Sequence, residues 1–256
     1  MSLHRTAYGE NGPWVVFCHG LFGQGKNWTQ IAKALSDRYR VLLLDMPNHG
    51  RSPWTESFDY AEAADLVAAE LPHDEPVTLV GHSMGGKIAM LIALRRPGLV
   101  ERLCVVDVSP VAYHHGREFA TYIDTMRGLG LWSLQRRSEA ASALASVVDD
   151  PVVRAFLLQN LHHVDGQWRW QPNLVVLGRD LAQLTGWPDD VASDATYDGP
   201  VLWIAGADSN YVQASYAEGM ERYFPKVRRV TIKDAGHWVH SEQPEVFLEV
   251  LRRFLP

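Results

Sequence analysis

The stretch at residues 77–91, VTLVGHSMGGKIAML, decides the fold. A short apolar run enters Gly-His-Ser-Met-Gly, and helical spacing begins at once. Ile88, Leu91 and Ile92 fall on one face before Arg95, Arg96 and Pro97 end the pattern. A strand joined to a helix by so few residues needs a sharp turn between small neighbours, which Gly81, Gly85 and Gly86 supply. The Ser at the corner has two readings. It is a small residue in a tight turn, or a nucleophile whose strained backbone holds its oxygen over the sheet at the positive end of a helix. The glycine-serine box alone is weak, but its place between strand and helix is the context the nucleophile reading requires.

Working outward, other apolar runs have the same form: WVVFCHG (14–20), RVLLLD (40–45), RLCVVDVSP (102–110), PVLWIAGAD (200–208) and VRRVTIKDAGH (227–237). Continuous Val/Ile/Leu runs of this length read as strands of a parallel sheet covered on both faces. Helical patterns lie between them, as in DYAEAADLVAAEL (59–71) and PEVFLEVLRRFL (244–255), the latter opened by Pro in its first turn. Alternation of this kind predicts a doubly wound α/β sheet. It breaks once. Residues 111–196 read as helices (GREFATYIDTMRGLG, RRSEAASALASVV, PVVRAFLLQNL) and loops, with no strand. The expected organisation is a core of residues 1–110 and 197–256, with residues 111–196 as a helical cap. Ligands bind such sheets at the carboxyl ends of the strands, so a cap there would roof the site.

Composition sets the outer bounds. The chain has 256 residues, 46% hydrophobic and 21% charged, which suits one large domain with a full core. A net charge of −6 without charge blocks argues against nucleic acid as a partner. No run approaches the roughly 18 apolar residues of a membrane span, and the N-terminal stretch lacks a signal-peptide pattern; the expected location is the cytoplasm. Cys18 and Cys104 sit in strand-like runs and read as buried free thiols. Four of the nine Trp residues (132, 168, 170 and 187) lie in the inserted segment. They either line an apolar cleft or fill a small core of their own.

A Ser nucleophile needs a base and an orienting acid, and in this fold they follow it as acid, then His. His237, after the last strand run, is the base that fits. His82, inside the elbow, is expected to face away from the site. His240 reads as a surface or cap contact, and the pairs His114–His115 and His162–His163 lie in the inserted segment. Two acids end strands between Ser83 and His237: Asp107 and Asp208. Residue order leaves both open. The backbone N–H groups of Met84 and Leu21, with Phe22 as the alternative to Leu21, are the expected oxyanion donors. No metal-ligand spacing occurs, so neither metal nor cofactor is expected.

Taken together, HGLFG (19–23), DMPNHGRSP (45–53), GHSMGGKIAM, VVDVSPVAY (105–113), WRWQPN (168–173) and AGHWVHSEQP (235–244) resemble the YbfF-type esterases of the α/β-hydrolase superfamily. The resemblance runs from about residue 3 to the C-terminus. It implies an eight-stranded, mostly parallel sheet with a helical cap inserted after strand 6, and hydrolysis of carboxylic esters or thioesters, acyl-CoA among them. It favours Asp107 as the acid, although those esterases usually carry Asn where this chain has Asp208.

The expectation is therefore a serine hydrolase acting on a small-molecule ester or thioester, with Tyr113, Phe119, Trp168 and Trp170 shaping the acyl pocket. Acyltransferases, perhydrolases and C–C hydrolases share the same triad, and a ligand receptor on this fold is the non-enzymatic rival.

Overall fold

The computed structural model describes residues 1–113, 116–192 and 194–256; the His114–His115 pair lies outside the described residues. Seven strands form the central sheet: β1 (Arg5–Tyr8), β2 (Trp14–Cys18), β3 (Arg40–Leu44), β4 (Val77–His82) and β5 (Val100–Val106), then, after the inserted segment, β8 (Val201–Gly206) and β9 (Val227–Ile232). Their order is β1-β3-β2-β4-β5-β8-β9. Among the described strands of this sheet, β1 alone runs antiparallel, pairing Arg5 with Leu44 at the sheet edge. The sheet thus has one strand fewer than the eight implied by resemblance, and the insertion follows its fifth strand rather than a sixth. Residues 9–13 turn directly from β1 into β2, with Gly9 and Gly12 at φ +76° and +89°.

Side-chain alternation explains why both faces must be covered. Val16 and Cys18, Leu42 and Leu44, Leu103 and Val105, and Trp203 and Ala205 join one core. Their neighbours Val15 and Phe17, Val41 and Leu43, Cys104 and Val106, and Leu202 and Ile204 join the other. Period-two patterning with both phases apolar is the signature of a sheet buried on both sides. Helices α2 (Tyr60–Glu70) and α3 (Met84–Arg95) cover the first face, through residues such as Val67 and Ile88. Helices α1 (Thr29–Leu35) and α11 (Pro244–Phe254) cover the second through Ile31, Leu35, Phe247 and Leu251. Helix α3 is buried from Met84 to Ala93, so its apolar character all round is a packing requirement.

From β2 the chain moves to β3 on one side; from β4 it moves to β5 on the other. The order reverses between β2 and β4, and a crevice opens at the carboxyl ends of the strands at such a switch point. The loops carrying Leu21 and Ser83 leave from there.

The inserted segment holds α4 (Gly116–Gly128), α5 (Arg137–Leu144), α6 (Pro151–Leu158), α7 (Leu174–Arg179) and α8 (Leu181–Thr185). It is not all helical. LHHV (β6, Leu161–Val164) and QWRW (β7, Gln167–Trp170) form an antiparallel hairpin apart from the central sheet. The turn between them, Asp165-Gly166, has both residues at positive φ, the geometry that a two-residue hairpin connection demands. Among the described residues no helix is long and apolar enough to cross a membrane.

Candidate active site

Ser83 sits at φ 52°, ψ −120°, a conformation that L-residues rarely adopt. Hydrogen bonds hold it there. Its N–H donates to Val106 O (3.0 Å), and its carbonyl accepts from Gly86 and Lys87 N–H (2.8 and 3.1 Å). The flanking glycines are required by contact. A Cβ at Gly81 would stand 2.3 Å from Gly85 O, and one at Gly85 would stand 2.4 Å from Cys18 O. The elbow is thus wedged against β2, and the Ser hydroxyl leaves at the head of α3.

Helix α9 (Ala217–Tyr223) leads into β9, and His237 lies on the loop between β9 and α10 (Val239–Glu242). Its Nε2 is 3.0 Å from Ser83 Oγ, and its Nδ1 is 2.8 Å from Asp107 Oδ2. Asp107 follows β5 at φ 49° and is wholly buried. Its Oδ1 accepts from Gly206 N–H (3.0 Å), and its Oδ2 also accepts from the Ser209 hydroxyl. Three donors on one carboxylate fix its orientation, and the imidazole therefore carries its proton on Nδ1, leaving Nε2 to accept from Ser83. Asp208 lies elsewhere: its side chain is exposed, and its backbone N–H donates to Ala235 O (2.9 Å).

Sequence reading missed several groups around the imidazole. Glu242 accepts from the N–H groups of Gly236 (2.7 Å) and Trp238 (3.1 Å), bracketing His237 in the chain. The Tyr211 ring stacks on His237 at 4.0 Å. His82 does not face away. Its Nε2–H donates to the His237 backbone carbonyl (2.8 Å), and its ring packs 4.7 Å from that of His237. His240 is buried rather than superficial, and stacks on Trp28 at 4.0 Å. Burial pushes His82 well below the ordinary imidazole value and His240 down to about 3. The one sequence signal for this cluster was the density of histidine around the elbow and the last loop.

The loop after β2 closes with Gly23 N–H on Gly20 O (2.9 Å). Neither the Leu21 nor the Met84 N–H has an acceptor among the described residues, and both residues border the same cavity as Ser83. Phe22, at φ 60°, turns its ring toward Phe119. Asn160, from the inserted segment, donates to the Phe22 carbonyl (2.8 Å) and accepts from Gln24 Nε2 (2.7 Å).

Two small cavities meet at Ser83. One, of about 30 Å³, is bordered by Tyr60, Lys87, Val108, Tyr113 and Tyr211. The other, of about 10 Å³, is bordered by Tyr122, Val153, Phe156, His237 and Trp238. Phe119 borders both. Tyr113 and Phe119 therefore stand at the site, but Trp168 and Trp170 do not. They line an open groove of about 710 Å³ with Trp54, and Ser83 is not among its walls. The reason is their strand: Trp170 is buried and donates from its indole N–H to Met126 O (2.8 Å), while Trp168 packs on His163. Among the described residues no group of three or more His, Cys, Asp or Glu is arranged to hold a metal ion. Cys18 and Cys104 are free and buried.

Comparison with known proteins identifies the family. The family profile described as alpha/beta hydrolase fold matches residues 13–244. The chain is 40% identical over 251 residues to the mouse protein named sn-1-specific diacylglycerol lipase ABHD11, covering 95% of this chain and 81% of that one. It is 34% identical over 250 residues to Esterase YbfF of Escherichia coli K12, covering 96% and 93%. A solved structure described as a marine microorganism esterase superposes with a TM-score of 0.95 at 30% identity, over 99% of both chains. The chain belongs to the α/β hydrolase fold family, among its YbfF-type esterases.

Proposed function

We propose that the chain hydrolyses carboxylic esters or thioesters, acyl-CoA among them, through a covalent acyl-enzyme. The observation that carries the reading is the unbroken line Ser83 Oγ–His237 Nε2, His237 Nδ1–Asp107 Oδ2, at 3.0 and 2.8 Å, beside two uncommitted backbone N–H groups.

Ser83 attacks the acyl carbonyl as His237 Nε2 takes its proton. The resulting imidazolium is held by Asp107, which keeps the ring in one tautomer and opposes its charge. The carbonyl oxygen, now negative, is received by the N–H groups of Leu21 and Met84, and the dipole of α3 favours that charge. His237 returns the proton to the leaving alcohol or thiol. Water then repeats the sequence on the acyl-enzyme and frees the acid. The two cavities divide the substrate. The leaving group lies beside His237 and Trp238, where the proton is delivered, and the acyl group lies in the cavity bordered by Met84, Lys87 and Tyr113. Residues 111–196 act as the cap: Phe119, Tyr122, Val153 and Phe156 all come from this segment and close over Ser83.

The test is Ser83→Ala with p-nitrophenyl acetate. A folded variant is expected to lose on the order of 10⁴-fold or more in kcat. Retention of a tenth of the activity overturns the mechanism.

A further inference from the structure

Lys87 lies one helical turn past Ser83 on α3 and is 2% exposed. Its ammonium donates to the carbonyls of Val111 (3.0 Å), Thr185 (2.9 Å) and Gly186. Three donors meet three acceptors, so the group is fully used. Among the described residues no carboxylate pairs with it in a salt bridge. The Tyr113 and Tyr60 rings stand 4.7 and 5.8 Å from the nitrogen instead. Burying a cation without a counter-ion is costly, and burial lowers the Lys87 pKa to about 7. A methionine would fill the same space without that cost, so the amine's value must lie in what it holds.

What it holds is a neck. Val111 begins the inserted segment, and Thr185–Gly186 end its last helix, α8. The two chain passages are bonded to each other, Tyr113 N–H to Thr185 O at 2.9 Å. Tyr60, from α2, adds a hydroxyl bond to Leu184 O at 2.7 Å. Two core helices thus grip successive carbonyls, 184 to 186, on the outgoing passage of the neck, and Lys87 also grips the incoming one. The same Lys87, Tyr60, Tyr113, Leu184 and Thr185 border the 30 Å³ cavity beside Ser83. That volume holds about two waters, or the methyl end of a very short acyl group.

We propose that Lys87, with Tyr60 beside it, is a positioning residue that draws both ends of the inserted segment onto the elbow helix and so fixes the acyl cavity at a size that selects short acyl chains. This rests on the hydrolase reading above and adds to it a substrate class and the residues that set it. An apolar residue at 87 would leave three carbonyls without their donor. The neck would part where it borders the cavity, and longer chains would enter.

The experiment compares p-nitrophenyl acetate with p-nitrophenyl octanoate for the wild type, Lys87→Met and Tyr60→Phe, with circular dichroism and a thermal melt on each. The wild type is expected to favour acetate. In Lys87→Met the octanoate-to-acetate ratio of kcat/KM should rise by roughly tenfold or more, chiefly through KM, which is the size of effect a few methylenes exert in an apolar pocket. Tyr60→Phe should shift the ratio the same way by a smaller factor, and it decides alone if Lys87→Met does not fold. Equal losses on both esters, or an unchanged ratio, overturn the role of Lys87. Absence of any wild-type turnover overturns the hydrolase reading instead, so the two failures are distinct.

Discussion

Replacing Asp107 by Asn changes one atom and is expected to stop the chemistry. The carboxylate accepts from Gly206 N–H on Oδ1 and from His237 Nδ1–H and the Ser209 hydroxyl on Oδ2. The Gly206 N–H is backbone and cannot turn, so it claims the amide oxygen. The amide NH₂ then falls at the Oδ2 position, facing His237 and Ser209. Ser209 can rotate its hydroxyl to accept. His237 can accommodate a donor only by giving up the proton on Nδ1 and carrying it on Nε2. There it points at Ser83 Oγ, 3.0 Å away, as a donor, and the general base is gone. In a well-studied protease the same substitution costs about 10⁴ in kcat, or about 5 kcal/mol of barrier. Asp208→Asn alters an exposed side chain and leaves the Asp208 N–H bond to Ala235 O in place. A change within about twofold is expected. The assay is kcat for p-nitrophenyl acetate on both single variants and the double, with near-ultraviolet circular dichroism to establish that each is folded. A crippled Asp208→Asn beside an active Asp107→Asn refutes the assignment; loss only in the double variant refutes the idea of a single dedicated acid.

Two further outcomes follow from the histidines. His82→Ala removes the donor to the His237 carbonyl, and a neutral bond of this kind is worth about 1 kcal/mol; kcat should fall about fivefold to tenfold while KM moves little, and an unchanged kcat in steady-state kinetics refutes the positioning role. Burial lowers the pKa of His19 to about 4, of His49 and His240 to about 3, and of His82 well below 6.5. Between pH 6.5 and those values the unfolded chain binds more protons than the folded one, so stability must fall as pH falls, by about 1 kcal/mol per such histidine at pH 5.5. Urea midpoints followed by Trp fluorescence at pH 7.5 and 5.5 check this, and a flat or rising midpoint contradicts it.

The central strands were legible because each is an unbroken apolar run, and the elbow because glycine is the one residue that fits at 81 and 85. The hairpin at 161–170 escaped because its strands are only four residues long: QWRW alternates for two periods and LHHV does not, and their pairing is stabilised by Trp168 against His163 and by the Asp165-Gly166 turn, neither a periodic signal. Strand β1 escaped for a related reason, being a largely exposed RTAY edge with little apolar content. Trp168 and Trp170 were assigned to the pocket on composition alone, and composition says nothing of which way a strand turns its faces. The line from Ser83 to His237 to Asp107 could be read as an order of residues, but the groups that aim it could not. Glu242 acts through backbone N–H groups and Lys87 through carbonyls, partners with no side-chain identity for a sequence pattern to record, and Tyr211 acts by stacking on His237, a ring contact that leaves no fixed spacing in the chain.

The bond from Asn160 to the Phe22 carbonyl bears on how this enzyme can be remodelled. The inserted segment supplies a strut for the loop after β2: Asn160 fastens the carbonyl of Phe22, the residue next to Leu21, and Gln24 fastens Asn160 in return. A transplanted segment without an amide at this place would change more than the shape of the pocket. It would release the loop that presents the Leu21 N–H, so that selectivity and rate would change together. Lineages or engineered chimaeras that replace this segment should therefore keep the amide, or rebuild the support of that loop from the core side.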